Sequence, residues 1–176
     1  MKSFLPSMFY YGFPVVLLTT IDKDGNADVT PISCTFTLGT NAVIALVKLN
    51  KAYHNVMEVP EVVFNLPSAE MWEKVEAIAP YTAQNPVPPQ KVGKYAYTDD
   101  KFAIGGFTQL PSEKVRVPRI AECPIQAEAV VKQVNDRGTY ALIELEFVQV
   151  HAEDHLVMEE NKINPLVWEP LIYNFK

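Results

Sequence analysis

The stretch PVVLLTTIDKDGNADVTPIS, residues 14–33, decides the fold. Residues 14–20 are rich in β-branched side chains, which suit a pleated, half-buried surface. Asp24-Gly25 follows, a pair that tolerates the positive φ a tight hairpin needs. Residues 27–38, ADVTPISCTFTL, then read as the return strand. Pro31 marks an edge or bulge in it, because proline has no N–H to give a ladder. After a turn at Gly39-Thr40-Asn41, residues 42–49, AVIALVKL, form a third strand, whose continuous apolar run predicts burial on both faces.

Further out the pattern changes period. Residues 51–59 predict a short helix with Asn50 as its N-cap, the side-chain oxygen accepting from a free backbone N–H. EVVFNL, residues 61–66, is a fourth strand. Ser68 is placed to cap a helix running to about Ala79, with Met71, Trp72, Val75, Ile78 and Ala79 at the spacing of one buried face. Residues 80–118 are broken by Pro80, Pro86, Pro88, Pro89, Pro111 and Pro118, and hold one short predicted helix at about 98–104. Loops this long in a compact domain are usually functional or packed on a partner. Strands at 124–134 and 139–150 complete six, mainly antiparallel; the tail from 153 gives no clear element. The expected fold class is mainly β with short helices, a small barrel rather than a parallel sheet. We expect one domain over 1–176, with a helical, Pro-rich excursion at about 68–118.

The chain has 176 residues, 15 Lys+Arg and 21 Asp+Glu, for a formal net charge of -6. That balance argues against nucleic acid or an anionic membrane as the main partner. The longest unbroken apolar runs, 15–18 and 42–47, fall far short of the ~18 residues a membrane helix needs. Pro6, Gly12 and Pro14 interrupt the apolar N-terminus, so no signal peptide is expected. Two cysteines, Cys34 and Cys123, make no disulfide scaffold and suit a reducing, cytoplasmic setting.

The chain lacks G-x-G-x-x-G, G-x-x-x-x-G-K-[ST] and G-x-S-x-G, so neither a dinucleotide fold, a P-loop nor a nucleophile elbow is supported. His151 and His155, in HAEDH, read as a polar turn, and no metal is expected. No residue stands out as catalytic. The informative region is 30–55. Thr30, Ser33, Thr35 and Thr37 carry hydroxyls, Lys48 and Lys51 carry charge, and Asn50 opens a helix whose N-terminus can seat a phosphate. Hydroxyls are also common on strand faces and single lysines are usually solvated, which accounts for the same residues without a ligand.

Residues 14–33, KLNKAYHNVMEVPEVVFNLPS (48–68), GFTQLPSEKVRVPRIAECPIQAEAVV (106–131) and VQVHAED (148–154) together resemble the flavin reductase-like, FMN-binding split-barrel proteins, including the flavoredoxins. The DG hairpin, the N-x(9)-NLP spacing from Asn55 to Pro67, and the PSEKV…PRIAE-P block carry the resemblance. It implies a six-stranded antiparallel split β-barrel and a homodimer with FMN near the interface. It implies that Thr30, Pro31, Ile32, Ser33, Cys34 and Thr35 run along the flavin. Lys48, Leu49 and Asn50 would line the ribityl-phosphate side. Lys51, Ala52, His54 and Asn55 would form the phosphate end, and Phe107 would approach the ring. Ala52 stands where many relatives carry Thr, and Tyr140 where they often carry His; Asn65 is a further site candidate. The implied activity is an NAD(P)H-dependent flavin reductase-like oxidoreductase. The alternatives are an FMN electron carrier reduced by a redox protein, or a barrel binding another anionic small molecule.

Overall fold

The computed structural model describes residues 1–5, 9 and 11–174. Its main sheet is built from β1 (Val16–Ile21), β2 (Ala27–Ile32), β3 (Thr35–Leu38), β4 (Asn41–Val47), β5 (Glu61–Leu66), β6 (Ile125–Asp136) and β7 (Tyr140–Ala152). The spatial order is β2-β1-β5-β6-β7-β4-β3, and the pairs are antiparallel. Helices α1 (Lys51–Glu58), α2 (Trp72–Ile78) and α3 (Lys101–Gly105) pack around it.

The sequence suggested six strands; hydrogen bonding divides the sheet into seven. The expected strand 27–38 breaks at Ser33-Cys34, where the Thr35 N–H turns back to the Ser33 carbonyl at 3.0 Å. The reason is topological. β2 and β3 are separated by two residues in the chain yet form opposite edges of the sheet. The three Cα–Cα steps from Ile32 to Thr35 span at most about 11 Å, so the sheet must curl until its edges nearly meet. The result is a split barrel whose opening is bridged by Ser33-Cys34.

The hairpin turn forms as its sequence predicts. Gly25 takes φ +87°. The Asp22 carboxylate accepts the Asp24 and Asn26 N–H groups at 3.0 and 2.9 Å. This is the local bonding that makes Asp a turn residue.

Apolar clusters pack both faces of the sheet. Val16, Leu18, Ile44, Leu46, Val62, Phe64, Ile143 and Leu145 fill the barrel interior. Leu17, Val29, Met71, Val75, Ile78, Phe102, Phe107 and Ile120 pack the outer face of β1 and β2 beneath α2 and α3. β1 is therefore buried on both sides. Its polar members are satisfied: the Thr19 hydroxyl donates to the Pro118 carbonyl at 2.7 Å, and the Thr20 hydroxyl accepts from Asn55 at 3.0 Å. Asn65 also serves the core. Its amide donates to the Leu17 carbonyl at 2.9 Å and its oxygen accepts the Ile120 N–H at 2.7 Å, tying β5 to the segment before β6.

Segment 80–118 lies on this frame, with Ala83, Lys91, Lys101, Phe102, Phe107, Val115 and Val117 all buried. Two expected helix caps do not form. Asn50 has extended φ/ψ at the start of α1 but makes no side-chain cap bond. Ser68 precedes a short 3-10 turn, Ala69–Met71, and likewise makes no cap bond. Asn50 is instead drawn into contact with segment 80–118, and that contact creates the site.

Candidate functional site

A cleft of about 530 Å³ opens beside the split in the barrel. Pro31, Ile32, Ser33 and Cys34 form one wall, where the chain crosses between β2 and β3. Ala45, Leu46 and Val47 come from β4. This answers the double burial expected of residues 42–49. Ala42, Ile44 and Leu46 alternate into the barrel, and the other face of β4 turns Ala45 and Val47 to the cleft rather than to a second packed layer. Val75, Glu76 and Ala79 of α2 and its end close the opposite side, with Val15 and Tyr173 nearby.

The polar end is made by Asn50, Thr82, Lys91 and Tyr95. Asn50 pairs with Ala83 as an isolated bridge, which brings segment 80–98 against the start of α1. Lys91 is only 7% exposed. Its ammonium donates to the Asn50 side-chain oxygen, to the Thr82 carbonyl at 3.1 Å and to the Thr82 hydroxyl at 3.3 Å. It also sits 4.9 Å above the Tyr95 ring. Among the described residues no carboxylate pairs with it. Burial, followed by the charge of Lys101, brings its pKa from 10.5 down to about 8. An anionic partner would offset the desolvation of a buried ammonium held only by neutral acceptors.

The sequence-predicted residues divide into two groups. Pro31, Ile32, Ser33, Cys34 and Asn50 line the cleft. Thr35 begins β3 just beyond Cys34. The others are engaged elsewhere. Thr30 is buried and donates its hydroxyl to Asp28 at 3.2 Å. Lys48 pairs with Asp136 at 2.5 Å, and Leu49 is half-buried in the turn before α1. Lys51 lies 3.6 Å from Asp28 and 5.4 Å over the Tyr97 ring. Ala52 is fully buried in the barrel core. His54 is exposed and meets the Tyr53 ring edge-on. Asn55 is committed to Thr20. Phe107 is a core aromatic beneath α3. Tyr140 pairs with Val47 in the β7–β4 ladder and is exposed.

Sequence reasoning missed Lys91, Thr82 and Tyr95. A lone lysine in a proline-broken loop carries no periodic signal. Only the length of that loop marked it. In HAEDH, His151 meets Glu128 at 2.7 Å and His155 meets Glu153 at 3.3 Å. No metal-binding cluster occurs among the described residues. Among these residues, no helix is long and apolar enough to cross a membrane.

Comparison with known proteins agrees with this architecture. The chain is 38% identical over 180 residues to the Bacillus subtilis protein YdfE, covering 99% of this chain and 86% of that one. Its fold is similar to the flavoredoxin of Methanosarcina acetivorans, with a TM-score of 0.80 at 17% identity over 99% of this chain and 86% of the other. The flavoredoxin of Desulfovibrio vulgaris gives a TM-score of 0.78 at 17% identity, over 100% and 94% of the two chains. At such identities these two likenesses concern the fold. The flavin reductase like domain matches residues 8–175, and the chain therefore belongs to the flavin reductase like domain family.

Proposed function

We propose that the cleft binds FMN and that the protein is a flavin reductase-like oxidoreductase accepting hydride from NAD(P)H. The observation that carries this reading is Lys91: a buried cation without a carboxylate, at the polar end of an otherwise largely apolar cleft. The residues present fit the group. The cleft lies within the roughly 300–1,000 Å³ usual for cofactor sites. Its single ammonium without a carboxylate matches the single phosphate of FMN better than the diphosphate of FAD.

Bound flavin supplies the hydride and electron chemistry, and the protein supplies position and electrostatics. Lys91, on release from Thr82 or Asn50, would hold the phosphate. Ile32, Ala45 and Val75 would supply an apolar lining for the ring. Ser33 and Cys34 lie outside any strand; their carbonyls already accept the Thr35 and Ala45 N–H groups, each at 3.0 Å, so their own N–H groups are what they would offer the ring's polar edge. Hydride transfer needs close contact and little acid–base help, so a cleft without a proton-transfer triad suits it.

Exposed Phe36 and Leu38 on the sheet-edge strand β3 favour a homodimer, since an uncovered apolar edge invites pairing. The free cysteines, Cys34 exposed and Cys123 buried, suit a cytoplasmic setting.

The test is the visible spectrum of the purified protein, with FMN and then NADPH added under nitrogen. Flavin bands that appear and then bleach support the reductase. Bands that form but do not bleach mean an electron carrier served by a redox protein. Failure to take up flavin leaves a barrel for another anionic small molecule.

A further inference from the structure

We propose that the buried cluster of Lys101, Lys51 and Asp28 raises the reduction potential of flavin held in the cleft. This rests on the flavin reading above. Lys101 is among the largest fully buried side chains of the protein. Its ammonium lies 3.1 Å from Asp28, and both side chains are 1% exposed. Lys51, 13% exposed, approaches the same carboxylate at 3.6 Å. Thr30 adds a hydroxyl at 3.2 Å. Among the described residues, no second carboxylate pairs with either lysine. Two ammoniums thus share one buried carboxylate; the charge of half-buried Asp22 also reaches Lys51, so the surplus positive charge beside Asp28 is offset in part.

Such an arrangement is costly, and apolar side chains of similar volume would hold α3 to β2 as well or better. Its position suggests a use. Thr30 directly precedes Pro31, and Lys51 directly follows Asn50; Pro31 and Asn50 both line the cleft. Lys101 is also close enough to depress the titration of Lys91 through its charge. The cleft is therefore backed by a positive field with little water to screen it.

Two-electron reduction of oxidised flavin takes up two electrons and one proton and leaves one negative charge on the ring. In the reaction proposed above, a nicotinamide hydride or a reduced redox protein supplies the electrons. A fixed nearby cation stabilises the reduced, anionic form more than the neutral oxidised form, and does so strongly where the dielectric is low. Lys101 and Lys51 act here through the field rather than by contact with the reacting atoms.

The experiment is a reductive titration of the FMN-loaded protein with dithionite against a reference dye. It compares wild type, Lys101→Met, Lys51→Gln and the surface control Lys132→Gln. Each cluster variant is expected to lower the ratio of reduced-flavin to oxidised-flavin affinity by roughly tenfold, about 30 mV for a two-electron couple. Lys132→Gln should leave the ratio unchanged. A merely structural role would weaken both forms alike, so an unchanged ratio in Lys101→Met and Lys51→Gln overturns the inference while the flavin reading stands. If Lys101→Met does not fold, Lys51→Gln decides alone. Wild-type protein that takes up no flavin overturns both.

Discussion

Lys91, from the middle of a proline-broken loop, donates its ammonium to the side chain of Asn50 at the start of α1. This one contact replaces the helix cap that Asn50 was placed to make. It also fastens segment 80–98 to the barrel and puts a positive charge at the end of the cleft.

Lys91→Met should weaken FMN binding by about 1–3 kcal/mol, the usual range for a charge-assisted contact. Riboflavin, which has no phosphate, should bind the variant and the wild type alike. Flavin fluorescence titration measures both. Equal losses for the two ligands would place the phosphate elsewhere.

The same lysine predicts a pH dependence. Its pKa in the free protein is lowered to about 8 by burial, with the charge of Lys101 adding to it. Phosphate binding favours the charged ammonium. FMN affinity should therefore be highest between about pH 6, where the phosphate loses its second proton, and the lysine's own value, and should fall as pH rises further. In Lys91→Met the alkaline fall should vanish. Titrations at neutral pH and two units above it suffice to compare them.

Glu128 predicts an acid effect on stability. It is fully buried, which by itself would raise its pKa. Bonds from the Glu113, Lys114 and Val115 N–H groups, at 2.9, 2.6 and 3.2 Å, and from His151 outweigh burial and lower it. A lowered carboxylate contributes stability that is present above its unfolded pKa and is lost as pH falls through the folded one. Glu128→Gln should cost roughly 2–4 kcal/mol at neutral pH, since an amide turns one donor toward groups that need an acceptor. Urea unfolding should show the gap to wild type narrowing below about pH 4.5, near the unfolded carboxyl value. A gap that stays constant with pH would mean the charge of Glu128 is not what matters.

Gly105 is required by a close approach. A Cβ there would lie 2.2 Å from Cε2 of Phe107, inside the cluster beneath α2 and α3. Gly105→Ala should cost about 1–3 kcal/mol by overpacking, read as a fall in melting temperature. Adding Phe107→Leu should recover part of the loss, which would show that the ring is the obstacle.

Much of the sheet was legible before the structure. The β-branched runs, the Asp24-Gly25 turn and the alternation after Tyr140 are local signals, and the corresponding strands formed near their expected places. The break at Ser33-Cys34 was not legible, because nothing in ADVTPISCTFTL tells a bulged strand from two strands on opposite sheet edges. The apolar run of β4 was visible, but the reason for its second face was not: Ala45 and Val47 look into a cleft.

The candidate site divides along the same line. Pro31, Ile32, Ser33, Cys34 and Asn50 could be named from sequence, since they sit in a continuous stretch with a recognisable pattern. Lys48 pairs with Asp136, His54 is exposed, Asn55 bonds Thr20 and Phe107 packs in the core, and none of the four lines the cleft. Lys91 became visible only when the fold brought it 41 residues along the chain to Asn50. The sequence by itself determined the strands, the turns and the family pattern, because those depend on neighbours in the chain. Tertiary structure alone decided which lysine meets the cleft and which meets a carboxylate, because charge acts through space and every lysine looks alike until its surroundings exist.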